Sequence, residues 1–241
     1  MSSDQTVQTS RWLLTALGTR IFMHNEDRIP RRSAVLVVSN HRSFLDPVVL
    51  TAALGRPIRF ACHHYMGEVP ILRDVVTTLG AFPLQEPTQR SQHFLHQASQ
   101  LLQNQEMVGV FPEGAQPMVK ATSANHVGSF QRGFAHLAWR VPIDDLAILP
   151  VAIAAFDEQV IRSGIPLRLL SWFDPSEPLF DQSGWHPMVI YKRANILIGR
   201  PYWIKPQQQQ QYRGKQAREL VANLTAYCQD EIANLLHQGC V

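Results

Sequence analysis

The chain is predicted to form a single α/β domain with a mostly parallel sheet flanked by helices, and three observations carry that expectation. Short apolar runs alternate along its 241 residues with segments of helical period. Turn residues bound nearly every run. A hydrophobic content of 45% suits one sizeable core and leaves little room for a second.

Strands are expected at Ala34 to Val38, Ile58 to Cys62, Ala81 to Leu84, Met107 to Phe111, Ala147 to Ala154 and Asn195 to Gly199. Helices are expected between them. Phe94, Leu95, Ala98, Leu101 and Leu102 repeat at the helical interval from Ser91 to Asn104, and Phe134, Leu137 and Ala138 do so before Arg140. The last helix carries the stripe Ala217, Leu220, Val221, Leu224, Cys228, Ile232 and Leu235 and ends before Gly239.

Residues 115 to 129, 174 to 187 and the glutamine run 207 to 211 lack periodicity and are expected as loops. Residues 1 to 32 are expected as an amphipathic, interfacial segment preceding the domain at 33 to 241. In it Trp12, Leu13, Leu17, Ile21 and Phe22 can share one helical face flanked by Arg11 and Arg20. An ordinary helix packed on its own domain has the same pattern.

With 22 basic and 19 acidic residues the charge is nearly balanced, which argues against a nucleic-acid partner. Three scattered cysteines make neither a disulfide framework nor a paired zinc site, and fit a reducing compartment. The apolar run Trp12 to Leu17 is far shorter than the roughly 20 residues of a spanning helix. Neither a signal peptide nor a transmembrane helix is expected. Cys62-His63-His64, and His93 with His96, lack companion ligands, so no metal is expected. Asp144-Asp145 has the composition of a turn.

The first strand runs into Asn40-His41-Arg42-Ser43-Phe44-Leu45-Asp46-Pro47, where Asp46 is an N-cap candidate and Pro47 a first helical residue. On one helix His41 and Asp46 would lie about 140° apart, so they meet only if the loop folds back. If they meet, the carboxylate fixes the imidazole tautomer and the other ring nitrogen can take a hydroxyl proton. Phe111-Pro112-Glu113-Gly114 closes a second strand and sets a carboxylate at the sheet edge where open α/β folds bind ligands.

These two segments resemble the first and third motifs of the glycerolipid acyltransferases typified by lysophosphatidate acyltransferase. Leu79 to Leu84, Phe130 to Phe134, Ile148 to Ile153 and Ile198 to Pro201 resemble the family's other motifs in order and spacing. The resemblance covers roughly residues 33 to 203. It implies direct attack of a lysolipid hydroxyl on a fatty acyl thioester, acyl-CoA or acyl-ACP, at the cytoplasmic face of a membrane, with no bound cofactor. It further implies His41 as general base and Asp46 as its partner. Phe111, Pro112, Glu113, Gly114, Arg42, Gln85 and Arg132 would contact the acceptor.

In lysophosphatidate acyltransferases, arginines usually stand where this chain has Gln85 and Gln116, and they are associated with the acceptor phosphate. Each replacement forgoes about 1.5–3 kcal/mol of charge-assisted bonding. Arg42, Arg73, Arg90, Lys120 and Arg132 lie near motif segments and are candidates to compensate. A glycosylated or phosphodiester lysolipid, or another hydroxylated lipid, is the alternative acceptor, and an inactive lipid-binding homologue is the alternative to an enzyme.

Overall fold

The computed structural model describes residues 3–62, 80–84, 90–114, 122–166, 168, 181 and 184–239. Eight strands among them form one sheet: β1 (Arg20–His24), β2 (Ala34–Ser39), β3 (Ile58–Cys62), β4 (Phe82–Pro83), β5 (Met107–Val110), β6 (Leu146–Pro166), β7 (Trp185–Ile198) and β8 (Tyr202–Ile204). Their order is β1-β7-β6-β2-β5-β3-β4, with β8 also paired to β6. All pairs are parallel except β6 with β7 and β6 with β8. The expected mostly parallel sheet is therefore observed.

Among the described residues there are six α-helices: α1 (Ser3–Ala16), α2 (Asp46–Leu54), α3 (Arg90–Gln103), α4 (Gly133–Arg140), α5 (Pro206–Gln210) and α6 (Gly214–Gly239). The central strand explains the layering, because its side chains alternate between two cores. Leu36 and Val38 pack with Leu102 of α3, Leu137 of α4 and Ile232 of α6. Val35 and Val37 pack with Leu14 of α1 and Val49 of α2. The α6 stripe is buried from Val221 to Leu235 and partly buried at Ala217 and Leu220; it includes Cys228, whose thiol pKa burial pushes up, and Cys62 is pushed up to about 12 in the same way.

Several elements differ from the sequence expectation. The amino-terminal helix stops at Ala16, and Ile21 and Phe22 belong to β1, which pairs with β7 from Arg20↔Arg193 to His24↔Leu197. Gly18, at φ 68°, breaks the helical period. The buried side of α1 is Thr6, Val7, Ser10 and Leu14, while Trp12 is 70% exposed.

The hairpin β6–β7 is far longer than expected, and Trp185–Pro187 lies in strand rather than loop. Charged residues 157 and 158 and Pro187 mask the strand pattern, which pairing across the hairpin supplies instead. Most of the glutamine run forms the short helix α5, opened by Pro206 at its first position. Trp139 is a core residue, whereas Trp185 and Trp203 are about half exposed. Asp144 and Asp145 form the turn before β6.

Candidate active site

Parallel strands β2 and β5 are neighbours and end at the same edge of the sheet. The loop after β2 carries His41 and the turn after β5 carries Glu113, so two segments about 70 residues apart in sequence meet there. Asn40 anchors the first. Its side-chain amide donates to Ile153 O at 3.0 Å and its carbonyl oxygen accepts from Ile153 N at 2.8 Å. The amide thus imitates one more strand residue and fixes where β2 stops.

The loop then folds back. His41 Nδ1 lies 2.8 Å from Asp46 Oδ2, which also accepts from the main-chain N–H groups of Arg42 (2.7 Å) and Ser43 (2.8 Å). Asp46 is the first residue of α2 rather than its N-cap, because its carboxylate reaches backward to the loop instead of forward to the helix. Its other oxygen, Oδ1, accepts from Tyr191 Oη at 2.7 Å. The side chain of Asp46 is fully buried and that of His41 is 14% exposed. Because the carboxylate accepts a hydrogen bond from Nδ1–H, Nε2 is the nitrogen that can accept a proton. The imidazole is stacked on Phe111 at 4.2 Å, and Phe111 on Phe60 at 5.0 Å, which fixes the ring plane.

Glu113 is buried, and both of its oxygens are engaged. Oε1 accepts from His41 N at 2.9 Å and Oε2 from Gly128 N at 2.7 Å. Burial raises its pKa, and the two amides only partly offset that. The residue ties the main chain of His41 to that of Gly128. Pro112 O accepts from Gln131 N at 2.8 Å, bringing Arg132, exposed at the start of α4, close beyond the turn in sequence. Gly114 has φ 71°, a left-handed conformation that favours glycine at this turn.

Arg42 is buried, and its guanidinium forms a fork on Glu158 at 2.6 and 2.8 Å and donates to Thr122 O at 2.6 Å. Burial opposes its charge, yet the bonds and attraction of Glu158 outweigh it and raise its pKa. Arg42 is thus already engaged by a carboxylate. Gln85, Gln116, Arg73 and Lys120, with His63 and His64, lie outside the described residues, as does the side chain of Arg90. Among the described residues no group of three or more His, Cys, Asp or Glu is arranged to hold a metal ion. No described helix is long and apolar enough to cross a membrane.

Tyr191 and Glu158 escaped the sequence reading. Both reach the site through irregularities in the β6–β7 pairing, where the register shifts between Ala155 and Asp157 and again between Asp157 and Glu158. Along β7, Ala194, Ile196 and Ile198 face the α1/α2 core, and so do Tyr191 and Val189. Residues 194 and 191 share that face only because a bulge lies between them. Alternation in the sequence points Tyr191 the wrong way.

The family model described as Acyltransferase matches residues 20–154, more than half of the chain. This chain belongs to the Acyltransferase family. Curated relatives include a 1-acyl-sn-glycerol-3-phosphate acyltransferase of Borreliella burgdorferi, 23% identical over 73% of this chain and 66% of its own length. A probable 1-acyl-sn-glycerol-3-phosphate acyltransferase of Mycoplasma pneumoniae is 27% identical over 55% of this chain and 50% of its own. The chain thus spans between half and two thirds of these relatives.

Among solved structures, the 1-acyl-sn-glycerophosphate (LPA) acyltransferase PlsC of Thermotoga maritima superposes with a TM-score of 0.62. It covers 97% of this chain and 77% of its own, at 15% identity, a likeness of fold. Within the Acyltransferase match lie His41, Asp46 and Glu113, the three side chains whose geometry builds the site. Tyr191 lies beyond it.

Proposed function

We propose that this protein is an O-acyltransferase that moves a fatty acyl group from a thioester, acyl-CoA or acyl-ACP, to a lysolipid hydroxyl, with 1-acyl-glycerol-3-phosphate as the first acceptor to test. The observation that carries the reading is the buried Asp46 carboxylate on His41 Nδ1, which leaves Nε2 to accept a proton at the edge of the sheet. Membership of the Acyltransferase family supports the reaction class, and the names of the curated relatives support the acceptor.

In this mechanism Nε2 takes the acceptor's hydroxyl proton as its oxygen attacks the thioester carbonyl. Asp46 stabilises the imidazolium that forms. The tetrahedral adduct collapses to the ester and expels the thiolate, which recovers the proton from His41. No acyl-enzyme forms and no bound cofactor is needed. The acceptor is met at a lipid surface, with the protein bound peripherally on its cytoplasmic face.

A second acceptor class is favoured by a specific observation. Arg42 is committed to Glu158, and glutamines stand at 85 and 116, so a lysolipid without a phosphomonoester fits this chain as well. One experiment covers both. Purified protein with lipid vesicles, acyl thioester and a panel of lysolipids should release free thiol, and His41→Ala should abolish the release. If every acceptor gives the same rate in parent and variant, the enzymatic reading fails.

A further inference from the structure

Asp46 distributes its hydrogen bonds unevenly. Oδ2 collects three donors from the loop itself, His41 Nδ1, Arg42 N and Ser43 N, whereas Oδ1 has Tyr191 Oη. A carboxylate turns readily about its last bond, whose torsional wells are broad. Three donors on one oxygen hold Oδ2 from the side of the loop. A donor on the opposite oxygen restrains the same rotation from the other side, so turning must also break the bond to Tyr191. Asp46 and Tyr191 are 0% and 1% exposed, so water does not readily replace the phenol.

We propose that Tyr191 is a positioning residue of the active site: its hydroxyl, delivered by the bulged β6–β7 hairpin, holds the Asp46 carboxylate in the rotation that keeps Oδ2 aligned with His41 Nδ1. This rests on the reading of His41 as the base. Burial, and then the nearby Asp46 charge, raise the pKa of the phenol well above its ordinary value, so it stays a donor across the neutral range. The other charged or titratable groups facing the pair are Glu113 from the end of β5, Arg42 in the loop and Glu158 from β6. The hairpin keeps two further clasps on the loop, Ser43 Oγ to Val189 O at 2.5 Å and Arg42 to Glu158. Removing one phenolic oxygen therefore leaves the hairpin docked and isolates the bond to Asp46.

The test compares Tyr191→Phe with Ile196→Val in the full chain. Ile196 is fully buried on the same strand and face, but takes no part in the site. In protein labelled with ¹⁵N-histidine, the downfield proton on His41 Nδ1 should move upfield and exchange faster with water in Tyr191→Phe, and match the parent in Ile196→Val. With an acceptor that turns over, Tyr191→Phe should lower kcat roughly 10-fold to 100-fold at unchanged KM, the scale of one bond to a charged group. A resonance unchanged in Tyr191→Phe, or moved equally in both variants, overturns the proposal. That readout needs no turnover. If no acceptor is used, the acyl-transfer reading falls while the tyrosine is still judged.

Discussion

The parallel half of the sheet and its antiparallel arm contribute to the site in different ways. From the ends of β2 and β5 come His41, Asp46 and Glu113, each within a few residues of a strand end. The β6–β7 arm supplies Glu158, Val189 O and Tyr191, none of them close to His41, Asp46 or Glu113 in sequence. His41 and Asp46 are compact in sequence because one loop folds back on itself. Groups that hold this loop come from a neighbouring strand whose register is set by pairing, and pairing leaves no short motif.

The comparison breaks most sharply at Asp46. In Asp46→Asn the buried negative charge is lost and one oxygen becomes an NH2 donor, so an imidazolium at His41 loses its counter-charge, and where that NH2 faces Nδ1 the ring is held in the other tautomer. Thiol release should fall by about three to four orders of magnitude, as when an imidazole is left in the wrong tautomer. A loss under tenfold would mean that the loop positions His41 without the carboxylate. Next comes Glu113→Ala, which strips the acceptor from His41 N and Gly128 N. At about 1–3 kcal/mol for each orphaned donor, urea unfolding should show a loss of about 2–4 kcal/mol after partial rehydration. An unchanged midpoint would show that these two amides find other acceptors.

That contrast also explains what could be read from the chain beforehand. The central strands were legible because apolar runs such as Val35 to Val38 are bounded by turns, and α6 because its stripe holds period through the 19 residues from Ala217 to Leu235. His41, Asp46 and Glu113 were legible as motif residues. Glu113's engagement was not, since nothing in Phe-Pro-Glu-Gly says that both oxygens will meet main-chain amides. Nor was Arg42's, whose partner lies 116 residues away. β1 was hidden because Ile21 and Phe22 continue a helical spacing that Gly18 in fact ends. Tyr191 was hidden by the bulge, which reverses the face that alternation assigns.

A smaller change reaches His41 from the parallel side alone. A Cβ at Gly109 of β5 would lie 2.3 Å from Phe60 Cε1 and 2.8 Å from Ile58 Cγ2. Gly109→Ala should therefore displace Phe60, and with it the Phe60–Phe111–His41 stack. Overpacking of this kind costs about 1–3 kcal/mol. Thermal melts should show that loss, with a lower kcat in the protein that remains folded. Full kcat in Gly109→Ala would mean that the stack does not hold the imidazole.

The smallest effect concerns pH. Burial raises the folded-state pKa of Glu113 above that of the unfolded chain. The acid form is therefore the one that folding favours. Its contribution to stability is fully present below the ordinary glutamate range and is lost as pH rises through the raised value. Glu113→Gln does not ionise, so the difference in unfolding free energy, parent minus variant, should fall with rising pH across that window and be flat on either side. Measuring urea unfolding of both proteins at a series of pH values cancels the titration of groups they share. A flat difference throughout would mean that the two amides hold Glu113 ionised as firmly as water does, and that its bracing of His41 carries no desolvation cost.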